Sequence, residues 1–166
     1  MDELQAELDR ARATGLATVC YKEERRLELP RALLLAVASR ETGCEDVVGD
    51  RGHGRGVFQI DDRYHHDWLV THGAAGPGQT PPVRAAARLA SLLLAQALGV
   101  ARTHALAGDT AVKFAASAYN AGVGGALAGL EHGDSDLETT GRDYGADVVA
   151  RMHAFRGLQV AERAQQ

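Results

Sequence analysis

Glu41, Asp50, Asp61 and Asp62 fall close together in the chain but in unlike surroundings. Glu41 ends the run RALLLAVASRE, in which residues 32–38 are apolar without interruption. If that run is a helix, Glu41 occupies its last turn, where the macrodipole is negative and the neighbours are dry. Both effects disfavour the ionised carboxylate and raise its pKa. A carboxyl that keeps its proton near neutral pH can serve as a general acid. The simpler alternative is a solvated ion pair with Arg40 or Arg55. Asp50, Asp61 and Asp62 lie on or beside GDRGHGRG, residues 49–56, with four glycines in eight positions. Glycines allow close backbone approach, which suits a surface lying against an extended polymer. An acid paired with a carboxylate that activates water is the equipment of inverting glycoside cleavage, with the carboxyls roughly 6.5–9.5 Å apart. Alone, a glycine-rich loop with aspartates is more often a turn.

Two further groups of residues could carry chemistry. His53, His65, His66 and His72, four of the seven histidines, fall within twenty residues beside Asp61, Asp62 and Asp67. No HExxH or similar fixed spacing accompanies them, so no metal site is expected. The segment SAYNAGVGG, residues 117–125, puts Tyr119 and Asn120 at a predicted helix end. They could offer an aromatic face and an amide to a sugar; on these residues alone, a core tyrosine and a glycine stop explain them as well. Gly122, Gly124 and Gly125 make no phosphate loop, because no strand precedes them and no GK[ST] follows.

The elements that would hold these residues are mostly helices. Residues 3–27 carry Leu4, Leu8, Ala11, Leu16, Val19 and Leu27 at roughly helical spacing. A second helix is expected to start at Pro30, where a missing N–H costs nothing, and to stop at Gly43. Its apolar run predicts burial on nearly all sides. The glycine-rich stretch and VFQID predict a loop and a small β-ribbon. A short helix over Tyr64 to Val70 and a loop over 71–80 follow. Thr80 and Pro81 should open a long helix whose inner stripe is Leu89, Leu92, Leu93, Gln96 and Ala97. Asp109 is a plausible cap for another buried helix ending at Ala121-Gly122. A last helix should run from Tyr144 to about Val160. Together these predict an α+β fold, predominantly α-helical.

Length and composition narrow the classes. At 166 residues, 45% apolar and 24% charged, the chain fits one domain with a real core. No apolar run is long enough to predict a membrane span, the longest being Ala32 to Ala38. The acidic, amphipathic start MDELQAELDR lacks the basic and apolar regions of a signal peptide. The chain is therefore expected either to be made without a secretory signal or to have lost one, and its place of synthesis stays open. With Lys+Arg 18 against Asp+Glu 22, net charge −4, nucleic acid is not the expected partner. Cys20 and Cys44 are too few for a disulfide scaffold or a structural zinc site, and could be bonded or free.

The strings SRETGCEDVVGDRGHGRGVFQIDDRYH, SAYNAGVGG and DYGADVVARMHAFR, in this order, resemble three motifs of the goose-type lysozymes, a glycosidase family related to the soluble lytic transglycosylases. The resemblance covers roughly residues 30–156. It implies a single lysozyme-like domain over 1–166: an N-terminal helical part (1–29), a catalytic region (30–156) and a C-terminal tail (157–166). A small β-ribbon would lie beside a deep cleft. It implies Glu41 as catalytic acid, Asp50 and Asp61 as auxiliary aspartates, and Gln59, His65, Tyr119, Asn120 and Tyr144 as cleft residues. The expected reaction is hydrolysis of the β-1,4 bond between N-acetylmuramic acid and N-acetylglucosamine in peptidoglycan, with inversion. No metal or organic cofactor and no membrane insertion is implied, and a monomer acting outside the cell membrane is expected. The alternatives are a lytic transglycosylase, a chitin-active glycosidase and a non-catalytic wall-binding domain. Two departures from the family are a shorter stretch between Glu41 and Asp50 and the lack of a recognisable N-terminal cysteine region.

Overall fold

The structure is a computed structural model, and it describes residues 2–72, 74–76 and 78–163. Seven α-helices appear among them: α1 (Asp2–Ala13), α2 (Leu16–Arg26), α3 (Leu33–Thr42), α4 (Asp62–Thr71), α5 (Val83–Thr103), α6 (Gly108–Glu131) and α7 (Tyr144–Arg163). Between α3 and α4 lie three two-residue strands, β1 (Val48–Gly49), β2 (Gly54–Arg55) and β3 (Ile60–Asp61). They form an antiparallel sheet in chain order, pairing Val48 with Arg55 and Gly54 with Asp61. The fold is α+β, mainly helical, and lysozyme-like, as the sequence predicts.

α3 is the axis of the molecule. Leu33 to Ser39 are all buried, as their unbroken apolar character requires, and the helix packs against α7, α2 and α5. Phe58, Phe114, Phe155, Leu94 and Met152 complete the core from the ribbon, α6, α7 and α5. Gly43 caps α3 in the left-handed region at φ 62°, with Cys44 N–H donating back to Ala38 and Gly43 N–H to Ser39. The start differs from expectation. α3 begins at Leu33, not Pro30, because Ala32 is left-handed and the buried Glu24 carboxylate of α2 takes the Ala32 and Leu34 amides, at 3.0 and 2.9 Å.

Two other boundaries, and the buried face of α5, also depart from the sequence reading. The N-terminal segment is two helices, broken where Gly15 turns left-handed at φ 78°. On α5, Leu89 and Ala97 are buried as expected, but Leu92 and Leu93 are only half-buried and Gln96 is exposed. The buried stripe runs instead through Ala86, Ala90, Leu94, Leu98 and Ala101, so the predicted inner face is partly a cleft wall. α6 breaks at Gly122 (φ 76°, ψ 159°) and resumes to Glu131. Asp109 does not cap it; that carboxylate pairs with His153 at 2.8 Å. By length and composition α5 could cross a membrane, contrary to the run-length reading, because its apolar residues are spread over 21 positions. Here it is a packed helix between α2 and α6.

Candidate active site

The end of α3, the ribbon, α4, the middle of α5 and the break in α6 enclose a cleft of about 810 Å³. Glu41, Asp50, Asp61, Gln59, His65, Tyr119 and Asn120 line it. Residues that lie up to 79 positions apart in the chain are thus brought to one surface.

Glu41 reaches the cleft from the last turn of α3. Burial pushes its carboxyl above the usual carboxylate range, against the opposing effects of a Tyr144 hydrogen bond and the Arg40 charge. Neither arginine of the ion-pair alternative holds it. Arg40 faces Asp143 and Asp147, each at 3.1 Å, and lies over the Tyr144 ring; Arg55 pairs with Asp62 at 3.0 Å. The partner of Glu41 is the Tyr144 hydroxyl, which donates to Oε1 at 2.5 Å.

Tyr144 does not line the cleft: it is 3% exposed and stands behind Glu41 as the first residue of α7. Its position is set by Asp136, a buried aspartate with no signature in the sequence. Asp136 accepts the Gly145 and Ala146 amides at 2.7 and 3.0 Å, giving the α7 N-terminus an anion at its positive end. Only glycine fits at 145, since a Cβ there would come within 2.5 Å of the Lys113 carbonyl and the Ser117 hydroxyl.

Asp61 is shifted in the opposite direction to Glu41. Asp61 is the N-cap of α4 and accepts the Arg63 amide at 2.9 Å. The Arg63 guanidinium folds back on the same carboxylate, with Nε 2.9 Å from Oδ1, and also pairs with Asp50. These bonds hold Asp61 below the ordinary carboxylate range. Asp62 points elsewhere, to His53 at 2.9 Å and Arg55 at 3.0 Å, and is lowered by them in that order. It belongs to the clip of the ribbon rather than to the cleft. Arg63 was not singled out from the sequence, although an arginine two places after a helix-capping aspartate is a readable signal.

The remaining predicted cleft residues divide by their partners. Gln59 lies flat on the ribbon, donating to the Val47 and Gly56 carbonyls at 3.1 and 3.0 Å. A Cβ at Gly49 or Gly54 would displace its Oε1, while Gly52 and Gly56 take left-handed backbone at φ 99° and 71°. Tyr119 donates its hydroxyl to the Phe58 carbonyl at 2.8 Å and so ties α6 to the ribbon while its ring faces the cleft. Asn120 accepts the Thr140 amide at 2.9 Å, leaving its NH₂ for the cleft. His65 is half-buried, and that burial depresses its pKa against the pull of Asp61. Tyr64, not singled out from the sequence, also lines the cleft. The four clustered histidines diverge: His53 joins Asp62, and His72 stacks on Trp68 at 4.1 Å between ring centroids. Among the described residues no three His, Cys, Asp or Glu side chains converge as a metal set.

No family model matches the chain. A lysozyme g of Gallus gallus is 32% identical over 130 residues, 75% of this chain and 56% of that protein. A lysozyme g of Takifugu rubripes is 28% identical over 164 residues, 91% of this chain and 79% of that protein. The alignment thus spans little more than half the length of the chicken relative. With the three motifs in order, a mainly helical lysozyme-like fold, and their residues gathered on one cleft, the chain is similar to the lysozymes g over three quarters or more of its length.

Proposed function

We propose that this chain cleaves the β-1,4 bond between N-acetylmuramic acid and N-acetylglucosamine in peptidoglycan, outside the cell membrane and as a monomer. The observation that carries the reading is the division of carboxyl groups across one cleft. Burial raises Glu41, while Arg63 lowers Asp61. Titratable groups whose surroundings push their pKa values apart are the mark of an acid and a charged partner in one reaction. Glu41 gives its proton to the glycosidic oxygen as the C–O bond breaks. Asp61, helped by Asp50, orients a water on the opposite face of the sugar and takes its proton as the water oxygen bonds to the anomeric carbon. One water is consumed, one bond is cleaved, and the configuration inverts. His65, Asn120 and the Tyr119 ring bind the sugars.

A specific observation favours a second reading. Arg63 holds both aspartates, and Asp61, lowered by it, is a weaker base. A lytic transglycosylase needs the acid alone, because the muramyl 6-hydroxyl replaces water. Mass spectrometry of the muropeptides released from purified walls separates the two. Products with a free reducing end are expected, formed with inverted configuration by NMR in the first minutes. A dominant 1,6-anhydro product would establish the transglycosylase reading, and chitin cleaved in preference to walls would change the substrate.

A further inference from the structure

Tyr64 is the most exposed large apolar side chain among the described residues, at 80%, yet it stands on the cleft wall. Single exposed aromatics are ordinary on a protein surface; this one lines a cleft beside a guanidinium. It lies in the first turn of α4, three residues beyond the Asp61 cap and beside His65. The Arg63 guanidinium sits 5.8 Å from the ring centroid, within cation–π range, while the same group grips Asp50 and Asp61. The ring thus neighbours the group that grips the aspartates. Its hydroxyl takes no hydrogen-bond partner among the described residues, unlike that of Tyr119, which is tied to Phe58.

We propose that Tyr64 is the platform of an additional sugar subsite at the cleft rim, where one further N-acetylhexosamine ring of a β-1,4-linked strand stacks on the phenol. A pyranose presents a face of C–H groups, and laying it on an aromatic ring removes apolar surface from water on both sides. His65 lines the same cleft, and the free hydroxyl is available to the sugar's polar edge. The inference rests on the glycosidase reading above and adds a length preference to it. Oligomers too short to reach the rim gain nothing from Tyr64, and longer ones do.

The test uses the full chain carrying Glu41→Gln, so that bound oligomers are not consumed. Binding of N-acetylglucosamine trimers and hexamers is measured by calorimetry in that parent and with Tyr64→Ala, Tyr64→Phe or Tyr64→Trp added. Tyr64→Ala is expected to lower the hexamer-to-trimer affinity ratio about five- to tenfold, and Phe and Trp to preserve it. With the ring almost wholly in solvent, the melting temperature should not move. An unchanged ratio in Tyr64→Ala overturns the subsite; if the wild-type chain still releases muropeptides from walls, the glycosidase reading survives that result. No oligomer bound by the parent, with no wall cleavage by the wild type, overturns both.

Discussion

Tyr144 donates its proton to Glu41, and a donor favours the charged form of a carboxylate, so this bond opposes the burial that raises the acid's pKa. Two outcomes follow at the scale of the residue. Glu41→Gln keeps the shape and loses the transferable proton, so wall lysis should fall at least about a hundredfold with the melting curve unchanged. Near-normal lysis would remove Glu41 from the mechanism. In the proposed reaction Glu41 must be protonated, so activity is expected to fall as pH rises through its pKa. Tyr144→Phe deletes the bond that lowers that pKa, so the alkaline limb of the pH–rate profile should move to higher pH. A limb that stays or moves down would mean the tyrosine serves packing alone. For the aspartates, Asp61 is fixed by the α4 cap and the Arg63 fork, whereas Asp50 has a more exposed side chain on a left-handed turn at φ 44°. Asn caps as well as Asp, so Asp61→Asn should fold normally and lose more activity than Asp50→Asn. The double variant should lose less than the product of the two, since both serve one water. Rates for the three variants on walls decide it.

At the scale of the element, α3 carries a carboxylate at each end, and burial acts on both. At the C-terminus Glu41 is left facing the cleft. At the N-terminus Glu24 is 4% exposed and pushed up to about 7 by desolvation, despite the two amides that favour its charge. The folded chain therefore holds this proton more tightly than the unfolded one, whose ordinary value is 4.5. Glu24's contribution is fully present below that value and is lost as pH rises through about 7, with a slope approaching about 1.4 kcal/mol per pH unit between them. Denaturant midpoints measured from pH 4 to 8 should show this decline superimposed on the other titrations, and Glu24→Gln should flatten it. If the variant keeps the parent's slope, Glu24 is charged in the folded state. α5 illustrates the other demand on an element: one helix serves two surfaces, small residues packing on α2 and α6 while Leu93, Gln96 and Ala97 face the cleft.

At the scale of the molecule, a chain of polar contacts ties the helices behind the acid. Asp147 of α7 joins Arg40 of α3 and Arg151 of α7, at 3.1 and 2.8 Å. Arg151 also reaches Ser39 at 2.8 Å, and the Ser39 hydroxyl donates to Glu7 of α1. Covalent ties are not part of this framework. Cys20 and Cys44 are both free and buried, burial being the main cause that pushes both thiols up, Cys44 to about 12 and Cys20 well above its ordinary value. A thiol so protonated is a poor nucleophile. Reductant should leave the melting temperature unchanged, and two thiols should titrate only after unfolding. A reductant-dependent loss of stability would show a bond between them.

The sequence by itself determined the burial of α3 and its glycine stop, because seven consecutive apolar residues cannot be placed in water and a left-handed cap suits glycine. It also determined the ribbon, through the glycines of residues 49–56, and singled out Glu41, Asp50 and Asp61 through local texture and the resemblance of three motifs. These signals are readable because each acts within a few residues. Long-range partnership was not readable. That Tyr144 stands behind Glu41, that Arg63 grips both aspartates while Asp62 turns away to His53 and Arg55, and that Glu24 caps a helix from another element are decided by packing. The break between α1 and α2 and the resumption of α6 past Gly122 belong to the same class, since a glycine marks a possible turn but tertiary contacts choose whether the helix resumes. The directions of the pKa shifts follow suit: local position suggested a raised Glu41, but burial supplied by α3's neighbours is its largest cause, and the low Asp61 required a guanidinium folded back onto it.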